Sequence, residues 1–113
     1  MTAKTPRQAA VALIAATNAF DVDSALTLVT PDAVIDDPST GHRFLGHAGV
    51  REYVERYFIG CHTVSKILGL RVVSGECLRM RVDFTGDFGH EVGLLKLAFG
   101  GDGRIVQMDA DLE

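Results

Sequence analysis

The residues best placed to do chemistry form a short acidic run, Asp36-Asp37-Pro38, directly after the aliphatic Ala33-Val34-Ile35. In an extended strand alternate side chains share a face. Asp37 is then on the side of Ile35 and Asp36 on the side of Val34, so either way a carboxylate stands beside a large aliphatic residue. Apolar walls desolvate a carboxylate and penalise its charged form. That prepares it to take a proton near neutral pH, the work of a general base. The competing reading is a polar strand end entering a turn, where aspartate before proline is common. Tyr53 and Tyr57, four residues apart, supply two phenols that can donate hydrogen bonds. Their alternative role is as core aromatics with hydroxyls at a rim.

Other reactive side chains form no constellation. Cys61 and Cys77 make no paired-cysteine motif, and His42, His47, His62 and His90 share no metal-ligand spacing with them. Neither a zinc site nor a disulfide framework is expected, and no cofactor is called for. Two lone thiols suit a reducing compartment, so a cytoplasmic location is expected. The net charge of -4 and scattered basic residues argue against nucleic acid as a partner. Lys4 and Arg7 before the apolar Ala9–Ala16 look like a secretion leader. Thr5-Pro6-Arg7-Gln8 explains the same residues better, as a capping box with proline at the first helical position. The apolar run is also too short to cross a bilayer, and no membrane partner is expected.

The elements that must position Asp37 follow from periodicity. With 113 residues, 47% hydrophobic and 23% charged, one domain spanning 1–113 is expected. A first helix runs from Pro6 to Ala19, with Ala10, Leu13, Ile14 and Thr17 on one face. A second short helix starts at Asp21 and turns Ala25, Leu26 and Val29 inward, stopped by Thr30-Pro31-Asp32. Short strands Ala33–Asp37 and Arg43–Leu45 flank a turn through Ser39-Thr40-Gly41. Val50, Tyr53, Val54, Tyr57 and Phe58 then form one apolar stripe on a third helix, with Arg51–Glu55 and Glu52–Arg56 as ion pairs on its wet side. From Thr63 the period becomes two, predicting strands at Thr63–Ser74, Glu76–Thr85, Val92–Phe99 and Arg104–Leu112. Their short glycine-containing connections make an antiparallel meander. Helices first and strands after define an α+β fold, with helices packed on one face of a curved antiparallel sheet.

Alternation then names the interior. Met80, Val82 and Phe84 share a face with Leu78, while Arg79, Arg81 and Asp83 take the other. Leu95 and Leu97 oppose Leu94 and Lys96. Met108, Ala110 and Leu112 join Val106 and oppose Ile105, Gln107 and the aspartates 109 and 111. With Leu13, Ile35 and Phe58 closing the interior from the helices and the odd strand, these residues define the expected pocket for a hydrophobic small molecule.

Three stretches resemble the first half of bacterial ketosteroid isomerase. They are Asn18-Ala19-Phe20-Asp21-Val22-Asp23, Thr30 through Pro38, and Gly46-His47-Ala48-Gly49-Val50-Arg51-Glu52-Tyr53. The likeness continues through Phe99 to Met108. It implies the cone-shaped nuclear-transport-factor-2-like fold of the ketosteroid isomerase and SnoaL-like polyketide cyclase family, a fold that hosts isomerases, cyclases, dehydratases, epoxide hydrolases and binders. Carried over by position, the family's general base is Asp37. The steroid isomerases pair that base with a tyrosine on the first helix and a protonated aspartate on the sheet. The matching positions here are Leu13 and Leu95, which donate no hydrogen bond, so steroid isomerisation itself is not expected; Tyr53 or Tyr57 would have to replace the missing donors. Arg81-Val82-Asp83 also resembles the Arg-x-Asp of limonene epoxide hydrolase, which requires Arg81 and Asp83 to face inward, a reversal that one step of strand register would produce. The readings are therefore a cofactor-independent isomerase, lyase or cyclase using Asp37, a binding or assembly module without chemistry, and an epoxide hydrolase. The resemblance also implies a homodimer through the outer sheet face, where Leu94 and Ile105 among Arg79, Lys96 and Gln107 would make a mixed interface.

Overall fold

The capping box forms as predicted. Gln8 N donates to Thr5 Oγ1 at 3.2 Å and Thr5 N donates to Gln8 Oε1 at 3.0 Å, starting helix α1 (Pro6–Asn18). The computed structural model describes residues 5–112, so Lys4 of the leader-like run lies outside them. Asn18, the last residue of α1, receives Ser65 N at 2.7 Å and donates to Ser65 O at 2.9 Å, tying the helix end to the sheet. Asp21 caps the short α2 (Val22–Thr27) through Ser24 N.

The next element is longer than the sequence predicts. β1 runs Val29–Asp37, so Val29 is buried as expected but from the start of a strand, not from α2. Ile105 N bonds to Leu28 O at 2.8 Å, and Val29 pairs with Ile105. Pro31 is tolerated within β1 because the pairing skips from Val29/Ile105 to Val34/Gln107; the proline falls where the ladder is already interrupted. A 3₁₀ turn (Pro38–Thr40) and the left-handed Gly41 lead into β2 (His42–Leu45), which returns antiparallel to β1.

The predicted third helix is two structures in series. α3 (Gly46–Val54) continues into a π-helical turn at Glu55–Ile59, marked by Gly60 N bonding to Glu55 O at 2.8 Å. Of the two expected ion pairs, Glu52–Arg56 is present at 3.8 Å, whereas Arg51 reaches across to Asp23 of α2 at 3.0 Å. A partner on a packed neighbouring helix displaced the one four residues on.

β3 (Val64–Ser74), β4 (Cys77–Gly86), β5 (Gly89–Phe99) and β6 (Ile105–Leu112) form the expected antiparallel meander, and the six-stranded sheet has the order β2-β1-β6-β5-β4-β3. One pairing departs from an all-antiparallel sheet: β1 and β6 are parallel. Residues 38–104 lie between them, and so long a crossover permits that direction.

The inward faces match the alternation at most positions. Leu78, Met80, Val82, Leu95, Leu97 and Phe99 are buried, while Arg79, Arg81, Leu94 and Lys96 are exposed. Ile105 is the exception. It is buried at 2% exposure, because a bulge where Ala98/Gln107 pairing passes to Phe99/Ile105 turns both Phe99 and Ile105 inward. It is therefore unavailable to an outer interface, and Val106 is only half-buried. Among the described residues no helix is long and apolar enough to cross a membrane.

Candidate functional site

Asp37 ends β1 on the same face as Ala33 and Ile35 and is buried, 8% exposed. Three donors meet its carboxylate among the described residues. Tyr53 Oη donates to Oδ2 at 2.7 Å, and Ser39 donates to Oδ1 through both its backbone N–H at 3.1 Å and its hydroxyl at 2.6 Å. A carboxylate offers about four acceptor positions; with three filled, one remains for a proton on a ligand. Asp37 is thus both an inward carboxylate with a polar partner and the cap of the 3₁₀ turn, so the two sequence readings coexist in one residue.

Tyr53 is held by packing. Its ring meets Phe44 at 5.0 Å, Tyr57 at 5.4 Å and Phe58 at 5.8 Å between centroids, and Phe58 in turn meets Phe84 at 6.1 Å. Burial first, then the Asp37 charge and hydrogen bond, then Tyr57, push the Tyr53 phenol well above its ordinary value of 10.0. Its proton is thereby kept and directed at Asp37. Tyr57, half-buried, presents the second phenol. Tyr57 and Phe58 lie within the π-helical turn, and such turns recur at functional sites.

These groups border a cavity of about 420 Å³ lined by Asp37, Ser39, Thr40, the rings of Tyr53, Tyr57, Phe58, Phe84 and Phe88, and Leu95, Ala110 and Leu112, with Glu91 at its mouth. Beneath it lies an apolar void of about 40 Å³ bordered by Leu13, Ile35, Leu95 and Met108. The expected pocket is therefore split. Phe58, Phe84, Leu95, Ala110 and Leu112 line the cavity, with Leu112 largely exposed at the rim; Leu13, Ile35 and Met108 line only the deeper void. Val82 and Leu97 are fully buried core and border neither, and Met80 is buried beneath the opposite face. They point inward as alternation requires, but neighbouring side chains fill the space around them.

The larger groove, about 660 Å³, is on the outer sheet face and holds Arg79, Arg81, Leu94, Lys96 and Asp109. Its size does not make it the site, because it contains no buried polar group comparable to Asp37. Arg81 lies there, and Asp83 is bound to His90 Nε2 at 2.9 Å and Thr85 Oγ1 at 3.2 Å. The Arg81–Asp83 pair thus points away from the cavity, which removes the epoxide hydrolase arrangement. His47 Nε2 contacts Val29 O at 3.1 Å, and His62 Nδ1 meets Asp87 at 2.8 Å. Among the described residues no group of three or more His, Cys, Asp or Glu could hold a metal ion.

Ser39, Phe88 and Glu91 were missed by the sequence reading. Ser39 was legible, since aspartate followed two residues later by serine is the pattern of a side-chain turn. Phe88 was not, because a hairpin tip has no alternation to read.

Three helices against a curved six-stranded sheet, with a polar group at the cavity edge, define the nuclear-transport-factor-2-like, cystatin-like class of α+β proteins. The sequence model of the SnoaL-like domain matches residues 10–109, and the chain belongs to that family. Among solved structures, a protein assigned as a polyketide cyclase from Sinorhizobium meliloti is similar at 21% identity, with 91% of this chain and 93% of that one covered and a TM-score of 0.83. One assigned as a ketosteroid isomerase from Kribbella flavida matches at 18% identity, 98% and 81% coverage and a TM-score of 0.84. An uncharacterized cystatin-fold protein from Novosphingobium aromaticivorans matches at 22% identity, 96% and 98% coverage and a TM-score of 0.84. Among curated proteins no relative matches the sequence.

Proposed function

We propose that this chain binds a hydrophobic small molecule in the Asp37 cavity and moves a proton on it, with Asp37 as general base in an isomerisation, elimination or cyclisation step. The observation that carries this reading is the buried Asp37 carboxylate, oriented by Tyr53 at 2.7 Å on the wall of an aromatic cavity. Tyr53 is a positioning residue, because its proton is committed to Asp37. Tyr57 is assigned the donor role toward substrate. The Asp37 carboxylate accepts a proton from an acidified C–H, the electron pair passes toward the substrate's carbonyl, and the proton is returned at another atom. The resemblance matches Leu13 and Leu95 to the two donor positions of the steroid isomerases, and neither side chain donates a hydrogen bond, so the reading does not extend to steroid isomerisation.

The test is deuterium uptake by an apolar ketone, 2-tetralone, in heavy water with and without protein. Wild type accelerates exchange, and Asp37→Asn loses roughly a hundredfold or more of that acceleration. Equal rates in wild type and variant overturn the reading. The two hydrogen bonds that Ser39 donates to Asp37 support a second reading, a binding module in which Asp37 only caps the 3₁₀ turn. There the ketone perturbs cavity resonances but exchanges at the solvent rate.

A homodimer through the outer sheet face belongs to the same proposal. Exposed Leu94 lies there among Arg71, Arg79 and Lys96 on one side and Asp36 and Asp109 on the other, a patch whose two signs suit a second copy of itself. Light scattering after size exclusion is expected to give about twice 12.2 kDa, and a monomer mass rejects the dimer. Two free thiols, Cys61 and Cys77, support a reducing, cytoplasmic setting.

A further inference from the structure

The lining of the Asp37 cavity carries charge of one sign. Asp37 and Glu91 stand on its face of the sheet, Asp111 sits at the boundary with the outer groove, and no Lys, Arg or His lines it among the described residues. The outer groove, by contrast, holds three arginines and a lysine. The cavity walls are also unusually aromatic for this chain. Five of its eight Phe and Tyr residues, Tyr53, Tyr57, Phe58, Phe84 and Phe88, border the cavity, and Phe88 is 45% exposed at the mouth. Aromatic faces carry negative quadrupole potential and attract cations within about 6 Å of the ring centre. One ring already does so: the Arg56 guanidinium stands 5.5 Å from the Tyr57 centroid. The other basic groups near the mouth are engaged, His62 by Asp87 and His90 by Asp83.

We infer that the cavity selects an amphiphilic organic cation, an apolar ring system bearing a protonated amine, over neutral molecules and over carboxylic acids. The apolar body packs on Phe58, Phe84 and Leu95, while the ammonium lies between the aromatic rim and the Asp37 and Glu91 carboxylates. An anion entering the same space meets the Asp37 and Glu91 carboxylates in a part-desolvated site whose described lining holds no cation, where like charges repel. The cavity volume suits such a molecule. This inference rests on the cavity being the ligand site, and it adds the charge class of the ligand.

The test is one apolar body with three head groups: 1-naphthylmethylamine, 1-naphthylmethanol and 1-naphthoic acid, titrated into the full chain at neutral pH and followed by protein NMR. The amine is expected to bind roughly tenfold more tightly than the alcohol, and the acid more weakly than either. Glu91→Gln, an exposed change, shrinks the amine-to-alcohol ratio severalfold, and added salt shrinks it too. Equal binding of amine and alcohol, or tightest binding of the acid, overturns the charge preference while leaving the cavity as a ligand site. If none of the three perturbs Tyr53, Phe84 or Leu95, the cavity is not a ligand site and both readings fall.

Discussion

The two faces of the central strands are made from alternate residues of the same segments, yet they have opposite characters. On β4 and β5, Val82, Leu95 and Leu97 face the helices and are buried, while their neighbours Arg81, Leu94 and Lys96 face outward into an open groove of mixed charge. The inner face carries a buried carboxylate and a cluster of rings; the outer face carries side chains that solvent can satisfy. A single backbone thus separates a low-dielectric compartment, where one polar group has large consequences, from a surface where several charges have small ones.

The comparison breaks most visibly with truncation on one strand. Leu97→Ala should cost about 2–5 kcal/mol in urea unfolding, whereas Lys96→Ala next to it should stay within about 0.5 kcal/mol. Comparable losses from the two would mean that the face assignment is wrong. Gly93→Ala comes next. A Cβ there would stand 2.7 Å from Phe84 Cε2, so the ring that borders both inner spaces must move; a loss of about 1–3 kcal/mol is expected. Tyr53→Phe removes one of three donors to the buried Asp37 and should cost about 1–3 kcal/mol, a penalty that should shrink in an Asp37→Asn background.

A pH dependence sharpens the same contrast. The Tyr53 phenol is higher in the folded chain than its ordinary 10.0, chiefly through burial, so its contribution is complete below about pH 10 and is lost as pH rises toward the folded value. Alkaline titration of absorbance at 295 nm should therefore contain a late component that Tyr53→Phe abolishes. The smallest effect is on the exposed side: Arg51→Ala, which removes the ion pair to Asp23, should change stability by no more than about 1 kcal/mol and less in high salt.

The chain's order of periods determined much of the architecture. The capping box at Thr5–Gln8, the stripe through Val50 and Phe58, and the alternation along residues 78–84 are each a local record of which side is buried, so they can be read without coordinates. Alternation likewise put Asp37 on the side of Ile35, although it left open whether that side or the side of Val34 and Asp36 is the buried one. Other features depend on segments remote in sequence. The hydrogen bond from Tyr53 to Asp37 joins residues 16 apart, and the inward turn of Ile105 follows from a bulge opposite β5. The parallel pairing of β1 with β6 depends on how two strands far apart in sequence meet, and Arg51 found Asp23 because α2 packs beside α3. Local burial leaves a periodic trace in sequence, whereas the meeting of two side chains is fixed only when the elements carrying them have packed.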